Sequence, residues 1–157
     1  PLDVHLMVSH PEKLVHKFAE SGANIITIHA ESFEKEKDLI DCIKSIRSFG
    51  CLVGISIKPN TPCSVIFNII HCIDVVLVMS VEPGKSGQSF NRLALDKIQE
   101  LANYRAKNNL NFKIEVDGGI NNTNSKSIID CGADILVSGS YIFNALNKIE
   151  AINLLKG

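Results

Sequence analysis

The chain alternates between short apolar runs and longer segments in which apolar residues recur every three or four positions. The runs are rich in β-branched residues, which is typical of strands buried on both faces of a parallel sheet. We predict strands over residues 2–7, 25–29, 52–57, 75–79, 112–116 and 135–138. The segments between and after them carry the helical period and predict helices over residues 11–21, 40–50, 64–71, 93–108, 122–130 and 141–155.

Strict alternation of strand and helix, without a linker rich in Pro, Gly or Ser, predicts a single α/β domain over residues 1–157. The joints S-G-A-N-I-I and C-G-A-D-I-L, which precede the second and the last predicted strand, have nearly the same sequence. This similarity indicates a repeating βα unit.

Both the closed eight-stranded barrel and the open doubly wound sheet are built from this unit. An open sheet concentrates its polar and glycine chemistry at one switch point. Here such residues follow nearly every predicted strand, in stretches 7–10, 29–31, 58–61, 80–88, 117–121 and 139–140. We therefore predict a (β/α)8 TIM barrel. Because six βα units are predicted and the chain begins at Pro1 directly before a strand, we expect the first two units to be missing.

The composition excludes disorder and argues against two classes of partner. Of the 157 residues, 45% are hydrophobic and 21% are charged, as in a folded domain with a sizeable core. Sixteen basic against 17 acidic residues leave a net charge of −1, and no Lys/Arg cluster indicates binding to nucleic acid. No apolar run approaches the ~18 residues of a membrane span. The five scattered cysteines lack a C-x-x-C pair, so we expect free thiols in a reducing, cytoplasmic compartment.

The first candidate site lies in D-V-H-L-M-V, where Asp3, His5 and Met7 alternate and therefore face the same side of the strand. In a barrel that side is the lumen. A neutral imidazole there is suited to bind a divalent metal. The alternative is a histidine that only contributes to the core, and the strand alone favours this reading.

The second candidate is I-E-V-D-G-G-I, in which Asp117 ends a strand and Gly118 and Gly119 follow. A carboxylate at the C-terminal end of a barrel strand faces the active-site rim, and two glycines let backbone N–H groups approach an anion. The alternative is an ordinary Asp-Gly turn. The loops after the last two strands often hold a phosphate in such barrels, which favours function.

Two further segments are candidates for a phosphate site. Gly139 and Ser140 stand between the last strand and a helix, where N–H groups carry partial positive charge. An ordinary helix cap is the alternative. The loop V-E-P-G-K-S-G-Q-S-F, with Gly84 and Gly87, could supply more N–H donors or close over a substrate, rather than being a plain surface loop.

Taken together, the motifs resemble a known family. L-D-V-H-L-M-V, G-I-S-I-K-P-N-T, L-V-M-S-V-E-P-G, G-Q-S-F, I-E-V-D-G-G-I and V-S-G-S occur in this order and at the spacings of ribulose-phosphate 3-epimerase. The resemblance runs from residue 2 to about residue 153. It implies a TIM barrel of the ribulose-phosphate-binding type.

The resemblance also implies roles for individual residues. His5 and Asp117 match two metal ligands of the family, and Asp117 also matches one of its two acid/base carboxylates. Met7 and Met79 match methionines that line the substrate pocket. The positions that match the family's phosphate site are Gly84, Ser86, Gly87, Gly118, Gly119, Gly139 and Ser140.

The activity implied is the interconversion of D-ribulose 5-phosphate and D-xylulose 5-phosphate in the pentose phosphate pathway. A proton at C3 leaves from one face and returns on the other, while one divalent ion (Zn, Fe, Mn or Co) stabilises the enediolate. We expect the partner to be this small sugar phosphate and the protein to be a homo-oligomer. We expect it in the cytoplasm, or in a plastid if a transit peptide precedes the chain.

The chain departs from the family pattern in two places. It has neither the early serine nor the H-x-D strand motif that supply the other metal ligands and the second carboxylate, and Asp3 matches a different position. It also has P-G-K-S-G-Q where the family usually has P-G-F-G-G-Q, so that Lys85 adds charge and Ser86 restricts the backbone. We therefore expect an active parent protein and an inactive isolated chain.

Three alternatives stay open. The first is an epimerase for another ketose phosphate, such as D-allulose 6-phosphate, because the same metal and acid/base groups would serve. The second is a truncated, non-catalytic protein that binds phosphate or assembles with partners. Barrel decarboxylases and synthases with a similar phosphate site are least favoured, because they lack the motifs around His5 and Asp117.

Overall fold

A computed structural model describes residues 1–84 and 87–156. Within this part of the chain, six strands form one parallel sheet in which the strand order follows the sequence. The strands are β1 (Asp3–Leu6), β2 (Ile25–His29), β3 (Leu52–Ile57), β4 (Val75–Met79), β5 (Lys113–Asp117) and β6 (Ile135–Val137). They agree with the predicted strands to within one residue at every end.

Helices connect the strands, as the alternating pattern predicts. They are α1 (Val15–Glu20), α2 (Glu36–Ser48), α3 (Leu93–Lys107), α4 (Ser125–Asp130), α5 (Ser140–Phe143) and α6 (Lys148–Lys156). Short 3₁₀ turns occupy Pro11–Lys13, Ala30–Ser32, Cys63–Ile66 and Ile70–Cys72. None of the helices in the described ranges is long and apolar enough to cross a membrane.

The two faces of the sheet differ in polarity because side chains alternate along each strand. One face carries the apolar core against the helices, with Ile26, Ile55 and Ile114 completely buried there. The opposite face carries buried polar groups, among them Thr27 and Glu115. The strands are therefore buried on both sides, and the inner side also carries polar and ionisable side chains.

The sheet is curled. The carboxyl groups of Asp3 on β1 and Glu115 on β5 lie close enough to share a hydrogen bond, although three strands separate these two in the sheet. His5, Thr27 and Val137, from β1, β2 and β6, line the same cavity. The inner face thus surrounds a lumen, and in the described residues the sheet is open between β1 and β6.

The two similar segments S-G-A-N-I-I and C-G-A-D-I-L make the same kind of hydrogen bond to the neighbouring strand. Asn24 accepts a hydrogen bond from the backbone N–H of Leu2 at 2.7 Å, and Asp134 accepts one from Ile114 at 2.8 Å. In each pair, the residue before one strand binds the start of the preceding strand. These side chains tie neighbouring strands together at the end of the sheet opposite the candidate site.

The prediction of a helix over residues 64–71 is wrong. Backbone bonds of the i→i+3 type, such as Ile69 N–H to Ile66 O at 3.1 Å, form 3₁₀ turns instead. An eight-residue α-helix spans only about 12 Å, whereas the same length of 3₁₀ helix spans about 16 Å, close to a strand's length. The short connection from β3 to β4 therefore favours the more extended helix.

The single helix predicted over residues 141–155 is also wrong, since two helices are present. The Asn147 side chain accepts the backbone N–H of Glu150 at 3.2 Å, as an N-cap does, and α6 begins at the next residue. The helix predicted over residues 11–21 is closer to the structure, where residues 11–13 form a 3₁₀ turn and α1 follows. Helical apolar spacing in the sequence did not indicate these breaks.

Candidate active site

A cavity of about 290 Å³ lies at the C-terminal ends of β4, β5 and β6. We call it the rim cavity. Among its lining residues are most of those predicted to bind substrate or phosphate. These are Met7, Met79, Gly84, Gly87, Gly118, Gly119, Gly139 and Ser140. Asp117, predicted as a metal ligand and acid/base group, lines the rim cavity as well. Ser86, together with Lys85, lies outside the described residues.

A second cavity of about 230 Å³, the lumen cavity, lies on the inner face of the sheet. His5 lines this cavity but not the rim cavity. Met7 and Asp117 line both. Asp117 therefore stands where the predicted metal-binding region and the predicted phosphate region meet.

Asp117 is the last residue of β5 and pairs in register with Met79 on β4. Burial raises the pKa of the Asp117 carboxyl, and the backbone N–H of Gly118 partly opposes this rise. A carboxyl group with a raised pKa is better suited to exchange protons near neutral pH. Met79 beside it is almost fully buried and forms an apolar wall of the rim cavity.

Gly118 and Gly119 hold the loop after β5 against the loop after β4. Both have positive φ angles, +112° and +65°. A Cβ atom on Gly118 would lie 2.6 Å from the hydroxyl oxygen of Ser80, and one on Gly119 would lie 2.7 Å from the carbonyl oxygen of Gln88. The Ser80 hydroxyl also donates a hydrogen bond to the carbonyl oxygen of Gly118 at 2.6 Å. Side chains at either glycine would separate the two loops.

Described residues of the loop after β4 line the rim cavity. Gly84 and Gly87 adopt positive φ angles of +98° and +74°, which glycine reaches without strain. The side-chain amide of Gln88 donates to the carbonyl oxygen of Glu82 at 2.8 Å and links the two sides of this loop. On the far side of the cavity, Gly139 is the N-cap of the short helix α5.

His5 is half-buried and contacts a second histidine. Its Nε2 atom lies 2.8 Å from Nε2 of His29, and the ring centroids are 4.8 Å apart. Burial, and secondarily the neighbouring His29, lower the pKa of His5 to about 4. His5 is therefore neutral at physiological pH, which is the form that binds a metal.

Acidic groups accompany His5 in the lumen cavity. Burial, then the charge of Asp3, their shared hydrogen bond and the charge of Asp117 raise the pKa of Glu115 to about 7. The Glu115 Oε2 atom is buried without a hydrogen-bond partner in the described part of the chain. His5 and Asp117 thus supply imidazole and carboxylate ligands beside further carboxyl oxygens, a donor set that suits a divalent cation. No three His, Cys, Asp or Glu residues within the described ranges are grouped to hold a metal by themselves.

Several residues of the site were missed in the sequence. Glu115 stands two residues before Asp117 and so faces the same side, a signal that was available. His29 ends β2 and Glu31 lies in the turn after it, but nothing in the sequence places them beside His5. Ser80 is a common residue type at the end of an apolar strand and carries no signal of its own.

Comparison with known proteins agrees with this arrangement. A family model described as "Ribulose-phosphate 3 epimerase family" matches residues 1–143. The chain is 40% identical over 156 residues to ribulose-5-phosphate-3-epimerase, chloroplastic, of Arabidopsis thaliana, covering 99% of the chain and 55% of that protein. It is 38% identical over 160 residues to ribulose-phosphate 3-epimerase of Bacillus subtilis, covering 100% of the chain and 71% of that protein. The chain therefore spans between about half and three quarters of the length of these relatives.

Solved structures with a similar fold are more distant in sequence. The 3-hexulose-6-phosphate synthase of Salmonella typhimurium matches with a TM-score of 0.68 at 17% identity, over 98% of this chain and 71% of that one. KGPDC from Streptococcus mutans matches with a TM-score of 0.67 at 15% identity, over 92% of this chain and 64% of that one. At such identities only the parallel α/β fold is shared. The family model and the curated relatives carry the assignment, and the chain belongs to the ribulose-phosphate 3-epimerase family.

Proposed function

We propose that this chain is part of a ribulose-phosphate 3-epimerase that interconverts D-ribulose 5-phosphate and D-xylulose 5-phosphate. The observation that carries the proposal is the position of Asp117, which lines both the lumen cavity with His5 and the rim cavity with the glycine loops. A sugar phosphate needs both regions, since its reacting carbon and its phosphate lie several bonds apart. No feature of the site favours an epimerase for D-allulose 6-phosphate instead.

Asp117 acts as one of the two acid/base groups. Its carboxylate takes the proton from C3 on one face of the sugar, or returns a proton to that face in the reverse reaction. The raised pKa of this carboxyl makes it the stronger base once ionised. The opposite face requires a second carboxylate, which no residue matched to the family supplies.

His5 and Asp117 would hold the divalent metal that the family uses. When bound, the metal supplies positive charge beside the C2 and C3 oxygens, where negative charge develops. The chain's contribution is a neutral imidazole, a carboxylate and an enclosed, acidic lumen. Two ligands do not complete a tetrahedral or octahedral site, so further protein groups, water or substrate oxygens would fill the remaining positions.

The rim cavity would hold the phosphate. Gly118, Gly119 and Gly139 line it without side chains that would keep an anion away from backbone N–H groups. The matched residues Gly84, Gly87 and Ser140 border the same space, and Met7 and Met79 supply its apolar walls. Holding the phosphate there fixes the position of C3 relative to Asp117.

We also propose that the six described strands are the last six of a single eight-stranded barrel domain. The curled sheet supports this, because β1 and β6 face each other across a lumen that their own pairing does not close. Two further βα units would cover both sheet edges and could supply the second carboxylate. The protein would work in the cytoplasm or, as the name of the Arabidopsis relative suggests, in a chloroplast. We propose a homo-oligomer as well.

The proposal is tested with a chimera in which the first two βα units of the Bacillus subtilis relative precede this chain. With Mn²⁺ or Zn²⁺, the chimera should convert D-ribulose 5-phosphate, whereas the isolated chain should not. Replacing Asp117→Asn in the chimera should lower kcat about 10³-fold, the usual contribution of a general acid/base group. The control Asp134→Asn, at the opposite end of β5 and β6, should leave kcat unchanged. A folded, metal-loaded chimera that prefers D-allulose 6-phosphate, or turnover by the isolated chain, would contradict the proposal.

A further inference from the structure

We propose that His29 and Glu31 are positioning residues that hold His5 in the tautomer with the proton on Nε2, leaving Nδ1 as the metal-binding atom. This inference rests on the proposed metal-binding role of His5. It concerns residues of β2 and the turn after it that the proposed mechanism does not otherwise use.

The contact between the two histidines allows few arrangements. The Nε2 atoms are 2.8 Å apart, so one must donate a proton and the other must accept it. A neutral His5 ring carries one proton, on either Nε2 or Nδ1. The choice depends on which nitrogen of His29 is protonated.

Glu31 decides the proton position on His29. One oxygen of the carboxylate, Oε1, accepts the backbone N–H of Lys58 at 2.7 Å and the hydroxyl of Thr61. The other oxygen, Oε2, lies 3.4 Å from Nδ1 of His29. These donors hold Glu31 in place. Burial opposes ionisation of Glu31, but its contact with His29 and these two donors outweigh burial and lower the pKa of its carboxyl to about 2. A fixed negative charge beside Nδ1 favours the proton on that atom.

Burial of His29 strengthens the preference for a proton on its Nδ1 atom. The His29 residue is only 3% exposed, and its Nδ1 atom has no well-formed hydrogen bond within the described ranges. Its separation from Oε2 is slightly longer than an ideal N–H···O bond, so the attraction is mainly electrostatic. With its proton on Nδ1, His29 presents a lone pair at Nε2. His5 must then donate from its own Nε2.

The consequence is a defined ligand atom on His5. Metal-binding histidines usually donate the N–H opposite the ligating nitrogen to a neighbouring acceptor, which fixes the ring and its tautomer. Here the acceptor is a second imidazole oriented by a carboxylate. The Nδ1 atom of His5 keeps its lone pair for the lumen cavity, which Asp117 also lines.

The tautomer is measured by the ¹⁵N chemical shifts of the His5 ring in the metal-free chain. We expect protonated Nε2 and unprotonated Nδ1 in the natural sequence. His29→Leu should give a mixture of both tautomers, whereas His29→Gln, which restores an acceptor near the Nε2 position, should restore the single tautomer. Ile28→Val is the matched control, since Ile28 is equally buried on the same strand but lies on the face of the sheet that packs against the helices, away from His5. If His29→Leu does not fold, Glu31→Gln provides the same readout through a partly exposed residue.

A second readout is the affinity of the chimera for Zn²⁺, measured by titration without substrate. His29→Leu should weaken binding about 10- to 100-fold, as changes to residues behind a metal ligand do, and His29→Gln should recover most of it. A His5 ring protonated on Nδ1, an unchanged tautomer in His29→Leu, or Zn²⁺ bound directly by His29 would overturn the inference. Missing epimerase turnover with the expected tautomers would count against the proposed function alone.

Discussion

At the end of β5 the two glycines have a steric as well as a conformational reason to be glycine. Gly119 combines a φ of +65° with a close approach to the backbone of Gln88 and Phe90. Gly22, after α1, has a φ of +97° but no atom within 4 Å of a Cβ position. Comparing Gly119 with Gly22 separates the cost of a left-handed backbone from the cost of a steric clash, because only Gly119 has both.

We expect Gly119→Ala to lower the free energy of unfolding by about 3 kcal/mol or more, and Gly22→Ala by about 1–2 kcal/mol from the left-handed backbone alone. Urea denaturation of the isolated chain measures both values. The excess for Gly119→Ala reflects the forced separation of the loops after β4 and β5. Equal losses for the two variants would show that the loops adjust without strain and would remove the steric argument.

The residue scale also shows what a single sequence can predict about a site. His5 and Asp117 were identifiable because strand ends and alternation place them on the lumen face of any parallel barrel. His29 was not, because its contact with His5 depends on how the curled sheet brings two ring planes together. Motif order predicts which residues line a cavity, but distances between side chains depend on strand tilt and packing.

Among the elements, the starts of the strands are joined by a recurring side-chain contact. Asp74 accepts the backbone N–H of Val53 at 2.7 Å and pairs with Arg47 at 3.0 Å. Asp134 accepts the N–H of Ile114 and pairs with Arg105 at 2.5 Å. Each contact therefore satisfies a backbone donor at a strand start and connects it to the preceding helix.

We expect Asp134→Ala to cost about 2 kcal/mol of stability, since it leaves the Ile114 N–H without its acceptor. Asp134→Asn keeps an acceptor, as Asn24 does naturally, and should cost under about 1 kcal/mol, the usual contribution of a partly exposed ion pair. Chemical denaturation at pH 7 measures both. A larger loss in the Asn variant than in the Ala variant would contradict the hydrogen-bond argument.

The contacts of the Asp134 carboxylate predict that the stability of the fold depends on pH. Burial opposes ionisation of Asp134, but the Ile114 N–H, Arg105 and Lys113 outweigh it and lower the pKa of the carboxyl below 3.8. A lowered pKa in the folded state means that this contribution is present above about pH 4 and is lost as the pH falls below it. The difference in stability between the natural chain and Asp134→Asn should therefore shrink from pH 5 to pH 3. A constant difference would show that charge plays no part.

Strands were predictable from the sequence and some helices were not, for a physical reason. Strands of a parallel sheet buried on both faces are mostly apolar, so runs such as residues 75–79 predict them directly. Helix type depends on the distance a connection must span, which the apolar spacing of residues 64–71 does not contain. The break before α6 required recognising Asn147 as a helix cap inside an otherwise continuous apolar pattern.

For the molecule as a whole, the most exposed large apolar side chains in the described part of the chain follow β6. Phe143, Leu146 and Ile149, in and between α5 and α6, are each at least 74% exposed. We call these three residues the β6-side patch. A strand added beside β6, followed by its helix, would lie next to this patch. Exposed apolar clusters beside an unpaired sheet edge promote association.

We expect the isolated chain to self-associate through the β6-side patch. The double substitution Leu146→Lys and Ile149→Lys should weaken association at least about tenfold, measured by sedimentation over a range of concentrations. Leu93→Lys is the control, because Leu93 is 67% exposed on α3, which packs against β4 and β5. An equal effect of Leu93→Lys would indicate a nonspecific response to charge.

The chimera with two added βα units can test whether those units close the barrel. If two added βα units pair with β6 and β1, the β6-side patch becomes an internal contact, and apolar side chains there contribute to folding. Leu146→Lys should then lower the chimera's free energy of unfolding by about 1–2 kcal/mol, while Leu93→Lys should change it by less than about 0.5 kcal/mol. In the isolated chain neither substitution should reduce stability appreciably. Closure by the added units is contradicted if Leu146→Lys leaves the chimera as stable as before and association through the patch persists.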